Sequence, residues 1–144
     1  MLRQRLILGF APRETVHAHC DIPCGIYDPH GAELAAKTVS KMVALIGEVA
    51  DGRDIEARNK FVRCVKVKEE HAELCKRELQ VLWSDYFKPE HVEAYPDLHD
   101  TFWKALKAAG KCKQSVDAAA AADLEARVAR ISDIFWATKG GRPS

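Results

Sequence analysis

The stretch Asp54–Tyr86, DIEARNKFVRCVKVKEEHAELCKRELQVLWSDY, holds neither glycine nor proline. Phe61, Val65, Ala72, Cys75, Leu79 and Leu82 mark one apolar face at helical spacing, so one long helix is expected from Asp54 or Ile55 to Tyr86. Lys88-Pro89 stops it, because the residue before a proline is pushed out of the helical region. A helix of this length with one apolar face needs partners to cover that face. Cys64 and Cys75 lie close to three helical turns apart and read as small core residues.

Towards the N-terminus, Ala35, Val39, Met42, Ile46 and Val49 give a helix over about 32–50, with Met42 as core filler. Asp51-Gly52 closes it, with Gly52 expected as a left-handed cap. Towards the C-terminus, the segment to Pro96 reads as a loop with one turn of helix. Leu98, Phe102, Ala105, Leu106 and Ala109 then mark a helix over about 97–109, ended by Gly110. A last helix, capped near Ser115 or Asp117, carries Leu124, Val128, Ile131, Phe135 and Thr138 on its stripe. Gly140-Gly141 and Pro143 close the chain. No strand pattern or repeat competes. The expected fold is all-α, an antiparallel up-down-up-down four-helix bundle with an N-terminal hook.

Composition agrees with one domain that buries a real core: 144 residues, 47% hydrophobic, formal charge +1. Lys and Arg are spread along the chain, so neither nucleic-acid binding nor disorder is suggested, and no apolar run reaches the length of a membrane span. Five cysteines cannot all pair within the chain, which fits a reducing compartment; a cytoplasmic location is expected, with export the weaker alternative.

The chemistry concentrates in His19-Cys20-Asp21-Ile22-Pro23-Cys24-Gly25-Ile26-Tyr27-Asp28-Pro29. Pro23, Gly25 and Pro29 prevent a helix there, and a hook that turns Cys24 back towards Cys20 is expected. Two thiols beside an imidazole are compatible with a zinc site or a redox pair. No second clustered cysteine pair completes a zinc set, and three intervening residues in a helical context do not suit a thioredoxin-like pair. Ahead of the hook, Arg3 and Arg5 precede a short apolar run ended by Pro12, and Val16 and Ala18 satisfy a small-residue cleavage rule.

The hook resembles the active-site motif of the nickel-containing superoxide dismutases, His-Cys-Asp-x-Pro-Cys-Gly-x-Tyr-Asp-Pro, with every fixed position present from His19 to Pro29. Val81–Pro89 and Ile134–Lys139 also resemble family blocks. The resemblance implies a leader, residues 1–18, removed after Ala18 by a maturation peptidase, and an enzyme domain over 19–144. It implies nickel held by the His19 amine and imidazole, the Cys20 amide nitrogen and the Cys20 and Cys24 thiolates. Before cleavage the His19 nitrogen is an amide and the set is incomplete. Thiolates suit soft and borderline metals, and a tetragonal set of this kind suits nickel or copper.

It also implies superoxide as substrate, Asp21, Tyr27 and Tyr86 lining the approach, and a homohexamer with each hook packed against its neighbours. Tyr86 is expected near Tyr27, Pro23 to shape the hook through a cis bond, and Lys88 to steer an anion. One departure stands out. Where known members carry a glutamate and an arginine that brace the axial imidazole, this chain has Ala35 and His71. His71 or another acid such as Glu33 would have to take over. His17, His30, His91 and His99 read as ordinary leader, packed or surface histidines. Two rivals use the same residues: a nickel or copper carrier, and a helical interaction protein with a regulatory cysteine pair.

Overall fold

A computed structural model describes residues 25–143. Helix α1 spans His30–Val49, α2 Ile55–Val81, α3 Pro89–Ala94, α4 Leu98–Gln114 and α5 Ala118–Thr138. A π-helical turn, Leu82–Tyr86, continues α2. No strand occurs among the described residues. α1 packs on α2 and α5, and α4 packs on α2 and α5, so the four long helices close a ring around one core. Phe102, Leu124, Ile131 and Phe135 are buried at its centre.

Local chemistry sets most boundaries. Asp28 Oδ1 accepts from the His30 N–H at 2.6 Å, so the last residues of the hook start α1 two positions earlier than expected. Asp54 caps α2 by accepting from Ala57 N at 2.9 Å. Asp117, rather than Ser115, caps α5, accepting from Ala119 N and Ala120 N.

Four expectations change. Gly52 is not left-handed: the positive-φ glycines among the described residues are Gly25, Gly140 and Gly141. A Cβ at Gly52 would lie 2.4 Å from the Ala57 Cβ, so it is the approach of α2 that requires a small residue there. Gly110 does not end its helix; α4 runs on to Gln114, because Cys112 still packs inward and the final carbonyls find a donor. The expected end of the long helix is π-helical, closed by Phe87 N–H donating to Leu82 O at 3.0 Å. Phe61 is exposed. At 1.5 Å per residue α2 is about 40 Å long and α4 about 25 Å, so the first turns of α2 run beyond α4 and pack on α1.

The helical pattern also hid a charge. Lys68 sits inside the bundle at 2% exposure. Its Nζ donates to the carbonyls of Cys112 (2.5 Å), Lys113 (2.8 Å) and Ser115 (3.2 Å), and pairs with Glu69 at 3.1 Å. Those carbonyls end α4, where helical partners run out and the dipole favours a cation.

Candidate functional site

The root of the hook meets the end of the long helix. Gly25 has φ +71, a conformation that favours glycine, and it turns the chain towards Tyr27. The Tyr27 ring lies 5.7 Å from the Tyr86 ring, tilted by 54°. Tyr86 is held on several sides: Phe135 at 4.4 Å, Phe87 edge-on at 5.0 Å and His91 stacked at 5.7 Å. Lys139 Nζ lies over the same ring at 5.2 Å.

The hydrogen bonds assign two protons. Thr138 Oγ1 donates to the Phe135 carbonyl at 2.6 Å. Its single hydrogen is therefore used, and the Tyr86 hydroxyl is the donor in the 2.5 Å bond between them. The Lys88 N–H donates to His91 Nδ1 at 3.1 Å, so neutral His91 carries its proton on Nε2.

Gly25, Tyr27, Asp85, Tyr86, Lys88, His91 and Lys139 line a cleft of about 290 Å³. Two phenols, an imidazole, one carboxylate and two ammonium groups line one small space beside the root of the hook. Sequence reasoning reached Tyr27, Tyr86 and Lys88. It treated His91 as ordinary and did not single out Lys139, although Lys139 ends one of the quoted blocks. His19, Cys20, Asp21, Pro23 and Cys24 lie outside the described residues. Among the described residues no group of three His, Cys, Asp or Glu could hold a metal ion.

The two departures have definite surroundings. Ala35 is buried at 1% exposure. His71 is half-buried, and its Nδ1 lies 2.9 Å from the Val67 carbonyl one turn earlier. A carbonyl only accepts, so Nδ1 carries the proton and Nε2 of the neutral ring is an acceptor. Glu33 is engaged elsewhere, with Arg142 Nη2 2.6 Å from Oε1. Burial alone would raise its carboxyl pKa, but hydrogen bonds from Ser132 and Arg142 outweigh that and hold it below the usual range.

A model of the nickel-containing superoxide dismutase family matches residues 14–139. The chain belongs to that family. The superoxide dismutase [Ni] of Streptomyces seoulensis is 44% identical over 130 residues, covering 90% of this chain and 95% of that protein. The enzyme of that name from Streptomyces coelicolor A3(2) shows the same identity and coverage. Among solved structures, a native nickel superoxide dismutase superposes with TM-score 0.74 at 41% identity, over 85% of this chain and 100% of that one. A nickel-containing superoxide dismutase with oxidised-state ligation gives 0.73 at 42%, with the same coverage. The protein is an oxidoreductase that disproportionates superoxide to oxygen and hydrogen peroxide, with nickel as its cofactor. No described helix is long and apolar enough to cross a membrane.

Proposed function

We propose that residues 1–18 are a leader removed by a maturation peptidase, and that nickel superoxide dismutase activity begins when His19 becomes the N-terminus. The donor set fits the metal. Thiolates from Cys20 and Cys24 would lower the barrier to a higher oxidation state, and the His19 amine, its imidazole and the Cys20 amide nitrogen would supply the remaining donors. The bundle offers no rival set among the described residues. The solved relatives are matched over their full length by 85% of this chain, which agrees with a shorter mature enzyme. When bound, nickel supplies the one-electron couple that lets one superoxide be oxidised and another reduced.

The observation that carries the reading is the cleft where Tyr27 and Tyr86 meet at 5.7 Å under two lysines. Lys88 and Lys139 attract the superoxide anion and raise its local concentration. Tyr86 directs its hydroxyl proton to Thr138 and so presents lone pairs to the cleft. Tyr27 orders water or substrate beside it, with Asp21 contributing from the hook. His91 holds a proton at Nε2 on the cleft wall. His71, whose Nδ1 proton is held by the Val67 carbonyl and whose Nε2 is left as an acceptor, is the residue we assign to replace the family's bracing ion pair. We place the enzyme in the cytoplasm as a homohexamer in which neighbouring subunits cover each hook.

The test is removal of residues 1–18 by protease, loading with nickel and measurement of superoxide loss. Activity is expected only after both steps. Metal uptake without turnover would support a carrier, and indifference to both steps a helical interaction protein. Undiminished dismutation with one extra residue left before His19 would overturn the proposed amine ligand.

A further inference from the structure

The segment after α5 folds back on the bundle and ties the hook's root to the wall of the cleft. Gly140 and Gly141 have φ +88 and +123, which let the chain reverse. The turn is closed by Lys139 N–H and Gly141 N–H donating to Trp136 O at 3.0 and 2.8 Å, and by Gly140 N–H donating to Ala137 O at 3.2 Å. The reversal lays the Arg142 guanidinium 5.9 Å from the Trp136 ring centre. Arg142 Nη2 then donates to Glu33 Oε1 at 2.6 Å and to Ser132 Oγ at 2.8 Å.

Glu33 stands in the first turn of α1, and its N–H donates to the carbonyl of Pro29, the last residue of the hook, at 3.0 Å. Its side chain is 18% exposed. The Arg142 side chain is 56% exposed, so water reaches the pair from that side, but the bond is charge-assisted and stronger than a neutral one. Two residues before the reversal, Thr138 accepts the Tyr86 hydroxyl proton, and Lys139 covers the Tyr86 ring. One short segment thus grips both the first turn of α1, into which the hook runs, and the phenol that faces the hook's root.

We propose that residues 138–142 form a clip that sets the hook against Tyr86, with Arg142 and Glu33 as positioning residues for the nickel-binding segment. The proposal rests on the dismutase reading for its consequence in turnover, but the clip is a property of the polypeptide. Glu33 is occupied by this role, which leaves the imidazole to be braced by other groups.

The experiment compares full-length protein with Arg142→Gln, Glu33→Gln and the double variant by amide hydrogen exchange without metal, resolved by segment. Nickel release to a chelator is then followed in the trimmed, loaded proteins. Each single variant should speed exchange over residues 26–34 about tenfold, with α2 and α4 unchanged. Nickel release should accelerate to a similar extent, and the double variant should add nothing to either single. Unchanged exchange over 26–34 would overturn the clip. So would a uniform rise across all helices, which would mark Arg142 as a general stabiliser. Absence of dismutation in the unaltered trimmed protein, with the local exchange response present, would overturn the functional reading and uphold the clip.

Discussion

Replacing Lys68 with Met tests the buried lysine most directly. Met keeps most of the stem and its packing, and removes the ammonium that bonds the carbonyls of Cys112, Lys113 and Ser115. Hydrogen bonds to a charged group contribute about 1.5–3 kcal/mol each. Those figures already include the desolvation cost, and three bonds that share one ammonium do not add in full. The variant no longer carries that desolvation cost, yet it leaves three helix-end carbonyls short of a donor and a dipole without its counter-charge. A net loss of about 3 kcal/mol follows from these opposing effects. For a domain of this size that is a fall of about 10 °C in Tm. Urea unfolding with an unchanged m-value is the assay, and exchange at the end of α4 should rise first. Lys68 precedes Tyr86 by eighteen residues, about 27 Å along the helix, so activity per folded molecule should stay the same. A loss below about 1 kcal/mol would refute the reasoning, because the three bonds would then contribute little beyond the desolvation they offset.

Two further outcomes are expected. Removing both cleft lysines, Lys88→Ala with Lys139→Ala, should lower kcat/KM about tenfold at low salt and flatten its ionic-strength dependence, with little change in Tm; an unaltered salt dependence would count against steering. Burial pushes the Cys75 thiol up to about 12 from 9.0, with Cys112 and Glu78 adding to it. Below pH 9 both folded and unfolded states keep that proton; between 9 and 12 only the unfolded state releases it, so this contribution to stability is lost as pH rises. Cys75 alkylation should accordingly keep pace with global unfolding, and fast modification of the folded protein would contradict its burial.

Much of the bundle was legible because helix patterning is local. Leu124, Val128, Ile131 and Phe135 share a face at helical spacing whatever they pack against, and all are buried. The family was legible because the fixed positions of its motif are contiguous in the chain. The cleft was only partly so. Tyr27 and Tyr86 come together because the π-helical turn and the root of the hook converge, whereas His91 and Lys139 carry no local mark of facing a shared space. Gly110 looked like a terminator because the donor that completes α4 lies forty-four residues from Cys112, on another helix. Gly52 looked like a left-handed cap because its actual constraint is contact with Ala57 in the next helix.

By itself the chain of residues determined the all-helical class, the approximate helix limits and the family, and through the family nickel as the cofactor, since each depends on periodicity or on a motif contiguous along the backbone. Only the tertiary structure decided that Lys68 would be buried, that Glu33 would pair with Arg142, and which side chains would wall the cleft beside Tyr86. The reason is that burial and ion pairing depend on which distant segments come to lie opposite one another, and no single helix encodes its neighbour.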